Sequence, residues 1–405
     1  MTPLVQTLVP KPGVADLDEV LTRLQRATVT VPFAAARIDF VADLARALSR
    51  RGRGMPETQA LAFWMRKAEL NRLAADFRKL ESDHLLLMPR GTVFHVPPAN
   101  VDTLFVYSLV LSLLVGNRNI VRLSSRATDQ SSLILDTLND VLGEHPEVAA
   151  ATTMITYGHD DTVTAAISSA CDVRVIWGGD ATVVTIRQAP LPPHATELAF
   201  PDRFSMAAIG TSAYLDLDLD ERHALAEKFF NDAYWFDQLG CSSARLLIWV
   251  GEGDTDAAAA DFHARLRRIV AEKGYVADTS AAIAKIGQSM RTIIDADVTS
   301  YTPYDNNLTV LDVAAFPDVR GEFCGAGLFY QLHADNLFEL VPHIRRADQT
   351  LATFGIAHDQ LREFAIALTG RGIDRIVPFG QALQFDRIWD GHDLLQDFTR
   401  KVTID

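Results

Sequence analysis

The sequence predicts an α/β protein in which mainly parallel sheets are flanked by helices. After residue 85, short β-type runs alternate with helical segments as far as the C-terminus, and this alternation is typical of that class. The chain has 405 residues, which is enough for two or three domains with sizeable cores. Apolar residues make up 48% and charged residues 22%, the balance of an ordinary globular protein.

The N-terminal part is expected to be helical over residues 15–80. In RIDFVADLARALSRRG, apolar side chains recur at helical spacing: Ile38, Val41, Leu44, Ala45 and Leu48. After this region two short β-type runs, LLLM and TVFHV, are separated by a Pro-Arg-Gly turn. An apolar helix over 101–115 and the strand-like NIVRLSS follow, so TVFHV opens a β-α-β unit.

The next segments continue the alternation. TDQSSLILDTLNDVLGEHP predicts a helix, TTMITYG a strand, DTVTAAISSA a helix and VRVIW a strand, and GGDATVVTIRQ is a glycine turn that leads into a helix. A third region begins near residue 206 with the strand SMAAIG. It continues through a helix over 219–236, the segment that contains Cys241, the strand LLIWVG and a helix over 255–273.

Composition argues against several classes of protein. The net charge of −14, from 38 basic and 52 acidic side chains, argues against a nucleic-acid binder, which needs a basic face. The longest apolar stretch, residues 101–116, is shorter than the ~20 residues of a membrane span and carries Asp102, Ser108 and Ser112, so we expect a buried helix. The chain has three cysteines and no visible signal peptide, which predicts a reducing, cytoplasmic location.

Common metal and hydrolase motifs do not occur in the sequence. It contains no HExxH, CxxC, GxSxG or Walker P-loop. The eleven histidines are scattered and none is at metal-ligand spacing, so no metal site is expected. His95 lies inside the TVFHV run and is expected to be a packed, hydrogen-bonded residue.

Cys241 is a candidate nucleophile within DQLGCSSARLLIWV, residues 237–250. Its glycine and serine neighbours give an incoming group access to the sulfur, and a local turn or helix start would direct backbone N–H groups at it and favour the thiolate. The alternative is a buried, inert cysteine, since free cysteines are among the most buried residues. For Cys171 and Cys324, structural roles are expected.

The PPAN segment, residues 97–100, joins a strand to the apolar helix. Asn100 stands where the sheet ends, which is where the active sites of open α/β sheets gather, and its amide can donate to an oxyanion. The alternative is that Asn100 is only the N-cap of the helix over 101–115.

Two further segments are suited to a phosphate or a ribose. The strand in GNRNIVRLSSR ends in basic and hydroxyl side chains: Arg122, Ser124, Ser125 and Arg126. WGGDATV, residues 177–183, is a junction of strand, glycines and helix whose N–H groups can hold a pyrophosphate. The first segment is equally compatible with a solvated loop, and the second is not a GxGxxG motif.

Taken together in this order, the segments resemble the aldehyde dehydrogenase superfamily, and within it the long-chain acyl-CoA reductases of the LuxC family. The resemblance spans residues 85–400. The motifs that carry it are GTVFHVPPANVDTL, LLVGNRNIVRLSS, VRVIWGGDATV, DQLGCSS, GEFCGAG and RIVPFGQALQF with the later WDG.

This resemblance implies a role for each matching residue. Cys241 matches the family's nucleophile, and Asn100 matches the residue that forms an oxyanion hole with the backbone N–H of that cysteine. Arg122, Ser124 and Ser125 match the segment along the adenosine ribose, and Gly178, Gly179 and Asp180 match the turn near the pyrophosphate. Glu322 matches the residue that holds the nicotinamide ribose.

Two departures from the pattern are informative. Where many aldehyde dehydrogenases place a glutamate that grips the ribose hydroxyls and selects NAD, this chain has Ser125 followed by Arg126, which favours NADPH over NADH. Hydrolytic members carry Glu-Leu-Gly-Gly where this chain has ATELAFPDRFSM, so that Phe200 stands opposite the water-activating glutamate and Glu197 is only an outside candidate.

The resemblance implies NADPH-dependent reduction of a long-chain acyl-CoA, or another acyl thioester, to the aldehyde through an acyl-enzyme on Cys241. Alternatives are aldehyde oxidation with hydrolysis and a non-catalytic partner subunit of an acyl-transfer complex. An acyl-protein synthetase is the expected partner.

The same resemblance suggests a domain organisation. Residues 1–206 would contain the helices and a Rossmann-like NADP(H) domain, 207–378 the catalytic domain, and 379–405 a tail for oligomerisation. A homo-oligomer is expected through the LLLMPRGTVF hairpin and the KVTI tail.

Overall fold

The computed structural model describes residues 3–98, 101–126, 128–321 and 323–405. These residues form two compact units. The first contains the described residues up to Pro201 together with Phe385–Asp405, and the second contains Asp202–Gln384.

The first unit begins with two strands that the sequence analysis did not predict. Its strands are β1 (Leu4–Val9), β2 (Gly13–Asp16), β3 (Leu85–Pro89), β4 (Thr92–Val96), β5 (Arg118–Leu123), β6 (Thr152–Thr156), β7 (Val173–Trp177) and β8 (Thr196–Phe200). Its helices are α1 (Leu17–Arg26), α2 (Ala35–Arg51), α3 (Pro56–Trp64), α4 (Lys67–Arg78), α5 (Leu104–Leu114), α6 (Asp129–Leu142), α7 (Pro146–Ala150), α8 (Asp161–Ser169) and α9 (Asp180–Arg187).

The main sheet of this unit has the strand order β2-β1-β6-β5-β4-β7-β8. The strands from β6 to β8 in that order are parallel neighbours, whereas β1 and β2 form an antiparallel edge. The chain runs outward from β4 through β5 to β6 and then returns to the other side of β4 as β7. The strand order therefore reverses between β4 and β7, and ligands of open α/β sheets bind at the carboxyl edge of such a switch point.

Helix α5 is the buried helix that the sequence predicts. All its residues are buried, including Ser108 and Ser112. Beneath it, His95 on β4 is fully buried: its Nδ1 lies 2.8 Å from the Ser108 Oγ and its Nε2 donates to the Asn119 Oδ1 at 2.9 Å. The packed, hydrogen-bonded role predicted for His95 is confirmed. None of the described helices has both the length and the apolar character that a membrane crossing requires.

The second unit is another parallel-rich α/β layer. Its strands are β9 (Phe204–Gly210), β10 (Ala244–Val250), β11 (Val298–Asp305), β12 (Leu308–Val313), β13 (Leu328–Ala334), β14 (Asp348–Phe354) and β15 (Arg375–Pro378). Its helices are α10 (Thr211–Leu215), α11 (Leu219–Ala233), α12 (Thr255–Glu272), α13 (Thr279–Asp295) and α14 (His358–Leu368), with 3-10 turns at Trp235–Gln238 and Leu337–His343. The order is β11-β12-β13-β10-β9-β14-β15, and β11 alone of these strands runs antiparallel to its neighbour.

The C-terminal segment returns to the first unit. It contains β16 (Ile388–Trp389), β17 (His392–Asp393), α15 (Leu394–Asp397) and β18 (Thr399–Thr403). Strand β18 pairs antiparallel with β3, so that Thr403 faces Leu85 and Thr399 faces Pro89. The expected LLLMPRGTVF hairpin is wrong, because β3 pairs with β18 whereas β4 lies inside the main sheet between β5 and β7.

Candidate active site

Cys241 reaches the start of β10 through a sharp reversal of the chain. Helix α11 ends at Ala233, and the predicted extension to residue 236 is wrong. Phe236, Asp237 and Gln238 all take left-handed backbone conformations, with φ of 56°, 54° and 62°. Such conformations are unfavourable for residues with a Cβ atom and persist only where the surroundings impose them.

The side chain of Gln238 holds this turn in place. It is fully buried, its Nε2 donates to the carbonyl oxygens of Ala244 and Leu328 at 2.9 Å each, and its Oε1 accepts from the Gly327 N–H at 2.9 Å. One amide thus ties the turn to the first residues of β10 and β13. Gln238 was not among the predicted site residues, although a glutamine three positions before the cysteine was a visible polar signal.

A second loop braces the turn from the other side. The Ala326 N–H donates to the Asp237 carbonyl oxygen at 3.0 Å, and a Cβ on Gly325 would lie 2.1 Å from that oxygen, so only glycine fits there. Lys285 on α13 is buried, and its Nζ donates to the carbonyl oxygens of Asn306 and Ala326 at 2.8 Å each. Burial lowers the pKa of Lys285 to about 8.

Cys241 itself is half-buried and takes part in no disulfide. Its Sγ lies 4.0 Å from the Ser242 Oγ, and its carbonyl oxygen accepts from the Ser205 hydroxyl at 2.6 Å. The residues that follow it form a turn and then β10, so the turn expected around the cysteine is present and a helix start is not. Cys241 is therefore not fully buried, contrary to the alternative interpretation.

Arg245 on β10 adds a cation to this environment, and the sequence analysis missed it. Its Nε is buried without a hydrogen-bond partner among the described residues, and its Cζ lies 4.3 Å from the centroid of the Phe323 ring. Burial lowers the pKa of Arg245, while the charges of Cys241 and Asp202 oppose that change. Since a nearby cation stabilises a thiolate, we predict that Arg245 favours the reactive form of the sulfur. An arginine inside the apolar run ARLLIWV was the available signal.

The other two cysteines have different surroundings. Burial raises the pKa of the Cys324 thiol, although Lys285 and Arg245 oppose the shift. Cys171, in the first unit, is buried, and its thiol donates to the Ser168 carbonyl oxygen at 3.2 Å. Burial raises the pKa of Cys171 to about 12. Both therefore remain protonated thiols near neutral pH.

The predicted ribose segment lies at the carboxyl edge of the first unit's sheet. Arg122 is the penultimate residue of β5, and its Cζ lies 4.9 Å from the centroid of the Tyr157 ring. Its Nε is buried without a hydrogen-bond partner in the described part of the chain. The Ser124 Oγ accepts from the Arg126 N–H at 3.2 Å, and Ser125 beside it is exposed.

The predicted pyrophosphate turn follows β7 at the same edge. Helix α9 begins at Asp180 with Gly179 as its N-cap, and the Gly178 N–H donates to the Phe200 carbonyl oxygen at 3.2 Å. The Phe200 ring stacks on Trp177, the last residue of β7, with centroids 3.7 Å apart. Because β5, β4 and β7 are hydrogen-bonded neighbours, the fold brings these two segments to the edge beside the switch point.

Two observations indicate that these residues could hold a dinucleotide. The buried, unpartnered Nε of Arg122 offers a donor to a phosphate, and the glycine turn opens a helix N-terminus at the sheet edge. Asn100 and Glu322 lie outside the described residues. Helix α5 begins at Leu104 with Thr103 as its N-cap.

Glu197, the outside candidate for a water-activating base, is held by two guanidinium groups. Its carboxylate lies 2.5 Å from Arg174 and 2.6 Å from Arg187, and its side chain is mostly buried on β8. Both carboxylate oxygens of Glu197 are engaged by arginines, so this side chain joins β7, β8 and α9 rather than offering a free carboxylate to water.

Comparisons with known proteins agree with this fold. A sequence profile of the acyl-CoA reductase (LuxC) family matches residues 66–401. The chain is 23% identical to a long-chain acyl-protein thioester reductase of Photorhabdus laumondii over 336 residues, which are 80% of this chain and 65% of that protein. It is 26% identical to the Aliivibrio fischeri protein of the same name over 167 residues, which are 40% of this chain and 33% of that protein. The chain thus spans less than two thirds of the length of these relatives.

Solved structures show the same architecture. Aldehyde dehydrogenase 21 from Physcomitrella patens, in complex with succinate, superimposes with a TM-score of 0.70 at 13% identity, over 96% of this chain and 90% of that chain. The glyceraldehyde-3-phosphate dehydrogenase GapN from Methanocaldococcus jannaschii, complexed with NADP, gives 0.67 at 13% identity, over 96% and 93%. With an aldehyde dehydrogenase fold and a profile match over most of its length, the chain belongs to the LuxC family of acyl-CoA reductases.

Proposed function

We propose that this protein reduces a long-chain fatty acyl thioester to the fatty aldehyde with NADPH, through an acyl-enzyme on Cys241. The observation that carries the proposal is a half-exposed cysteine on a turn braced by Gln238 and Lys285, with the cation of Arg245 nearby. The family and the names of the relatives, long-chain acyl-protein thioester reductases, support the reaction class.

The chemistry assigned to Cys241 is acyl transfer followed by reduction. The thiolate attacks the acyl carbonyl carbon, the bond to the donor sulfur breaks, and the donor leaves as a thiol after taking a proton. Bound at the sheet edge near Arg122 and Gly178, the nicotinamide cofactor would supply the hydride that reduces the acyl carbon. The resulting thiohemiacetal loses the Cys241 sulfur as the C=O bond of the aldehyde forms.

Asn100 is proposed to donate a hydrogen bond to the oxyanion that forms in both steps. One such donor contributes ~3 kcal/mol to the lowering of the barrier. Asn100→Ala is expected to lower the acylation rate by about 100–1,000-fold without unfolding the protein. A loss below tenfold would remove Asn100 from the mechanism.

For the cofactor, we propose that Arg122, Ser124 and Ser125 hold the adenosine ribose and its 2′-phosphate. Gly178, Gly179 and Asp180 would form the pyrophosphate turn, and Glu322 would hold the nicotinamide ribose. The unpartnered Arg122 Nε and the exposed Ser125-Arg126 pair support NADPH over NADH. The residue ranges 1–206 and 207–378 are accordingly proposed to provide the cofactor and the catalytic functions.

The β3–β18 ribbon, which includes part of the tail 379–405, is proposed to join copies into a homo-oligomer, with an acyl-protein synthetase as partner and the cytoplasm as location.

The two alternative functions are less well supported. Aldehyde oxidation needs a water-activating base, and Glu197 is engaged by Arg174 and Arg187, while the braced Cys241 turn disfavours a non-catalytic subunit.

The testing experiment is intact-mass spectrometry after incubation with tetradecanoyl-CoA in the absence of NADPH. We expect an acyl-sized mass gain on the wild type and none on Cys241→Ala, and addition of NADPH should discharge the adduct as aldehyde. The variant Cys171→Ala serves as the matched control and should still be acylated. Equal acylation of the wild type and Cys241→Ala would overturn the assignment of the nucleophile.

A further inference from the structure

Helices α2 and α3 of the first unit border a groove of about 640 Å³. Its floor is made by the buried side chains of Ala42 and Ala45 on α2 and Ala62 on α3. The exposed side chains around the floor are one aromatic ring, one hydroxyl and four cations: Phe63, Ser49, Arg46, Arg50, Arg66 and Lys67. The described residues that line the groove include no acidic side chain.

The charge of this rim is opposite to that of the whole chain, which is −14. Arg46 pairs with Asp43 on its own helix, and the Arg66 guanidinium lies 3.2 Å from the centroid of the Phe63 ring. Arg50 and Lys67 form no ion pair or hydrogen bond with any described residue. The groove therefore presents uncompensated positive charge beside an exposed aromatic ring.

We propose that this groove docks an acidic amphipathic helix of the protein that carries the acyl thioester; the inference rests on the proposed function. An apolar floor of small residues between two helices has the shape that accepts the apolar face of a third helix. A charged rim around an apolar centre is the usual anatomy of a transient interface. Because like charges repel, an acidic carrier would avoid most of this acidic chain and be directed to the basic groove.

An apolar floor argues against free CoA as the occupant. The phosphates of CoA need cations but gain nothing from a row of buried alanines, whereas a helix uses both features. Phe63, which is 61% exposed, provides the apolar anchor that such an interface requires.

The test compares one acyl chain on two donors, tetradecanoyl acyl carrier protein and tetradecanoyl-CoA. In the double variant Arg50→Glu/Lys67→Glu, we expect the KM for the protein-borne donor to rise about tenfold or more, since charge reversal at an interface slows association. The kcat and KM for tetradecanoyl-CoA should stay within about twofold of the wild type. The matched control is Arg23→Glu/Arg26→Glu on α1, which changes the net charge equally and should leave both donors unaffected.

Binding is measured separately by fluorescence anisotropy of labelled acyl carrier protein, which needs no turnover. We expect Phe63→Ala and the groove double variant each to weaken binding at least fivefold, by loss of an apolar anchor and of charge attraction respectively. Three outcomes would each overturn the inference. They are a failure of acyl carrier protein to bind the wild type, binding to Arg50→Glu/Lys67→Glu as tight as to the wild type, and a raised KM of this variant for tetradecanoyl-CoA. Binding without reduction of either donor would instead refute the proposed function and leave the docking groove supported.

Discussion

Arg245 contributes a positive charge to the surroundings of Cys241. Replacing it with methionine keeps much of the buried volume and removes the cation, so the thiolate loses its stabilisation. We expect Arg245→Met to raise the apparent pKa for iodoacetamide alkylation of Cys241 by about one unit and to lower the acylation rate at pH 7 by about tenfold. Arg245→Lys should recover part of both effects.

The measurement is peptide-resolved mass spectrometry of alkylation rates between pH 6 and 10. Cys171 serves as an internal reference, because burial raises its pKa to about 12 and it should react last. If Arg245→Met leaves the pH profile of Cys241 alkylation unchanged, Arg245 has only a structural role.

Arg122 is the residue that we propose to select NADPH over NADH. Its Nε has no hydrogen-bond partner among the described residues, and its guanidinium already lies over Tyr157, so a 2′-phosphate would find a positioned cation. Arg122→Leu is expected to weaken NADPH binding by about 10–100-fold and NADH binding by less than threefold. Isothermal titration with each nucleotide measures this, and equal losses for both would contradict the phosphate contact.

At the scale of the elements, the turn before β10 depends on one amide. In Gln238→Ala, the carbonyl oxygens of Ala244 and Leu328 and the N–H of Gly327 lose their partner inside the core. Buried groups left without hydrogen bonds cost about 1–3 kcal/mol each, so we expect a loss of about 2–5 kcal/mol in the free energy of unfolding.

Urea denaturation measures that loss, and Gln238→Glu is the matched comparison because it keeps the acceptor and the shape but not the donor. We expect Gln238→Glu to lower stability as well, since its oxygens would face the carbonyl oxygens of Ala244 and Leu328. A change below 1 kcal/mol in both variants would mean that the turn does not depend on this side chain.

At the scale of the whole molecule, each unit contains a buried histidine that must stay neutral. Burial lowers the pKa of His95 and of His263 from 6.5 to about 4 each. The pKa of each histidine is therefore lower in the folded protein than in the unfolded chain. The stability that each neutral, buried histidine contributes is complete above pH 6.5 and is lost as the pH falls towards 4. Each histidine accounts for about 3 kcal/mol at most.

We therefore expect thermal stability to fall steeply between pH 6.5 and 4 in both units. Differential scanning calorimetry across that range measures the slope, and His95→Gln/His263→Gln should flatten it even if the variant is less stable at pH 7. If the stability of the double variant falls with pH as steeply as that of the wild type, groups other than these two histidines cause the loss of stability in acid.

Local patterns in the sequence were sufficient for most of the elements. The alternation of β-type runs and amphipathic segments predicted strands β3 to β7, β9 and β10 and the buried helix α5, because periodicity and apolar content are properties of neighbouring residues. Strand β8 was not predicted. His95 could be placed in a core for the same reason: it lies inside an apolar strand. The short edge strands β1 and β2 were not predicted.

The sequence by itself determined the family, the α/β class, the strand order along the chain and the choice of Cys241 as the candidate nucleophile. Only the tertiary structure decided that β3 pairs with β18 about three hundred residues away, and that residues 236–238 turn left-handed. It alone revealed the roles of Gln238, Lys285 and Arg245. Their partners lie on distant segments, and no local pattern encodes which distant carbonyl or ring a buried polar side chain will meet.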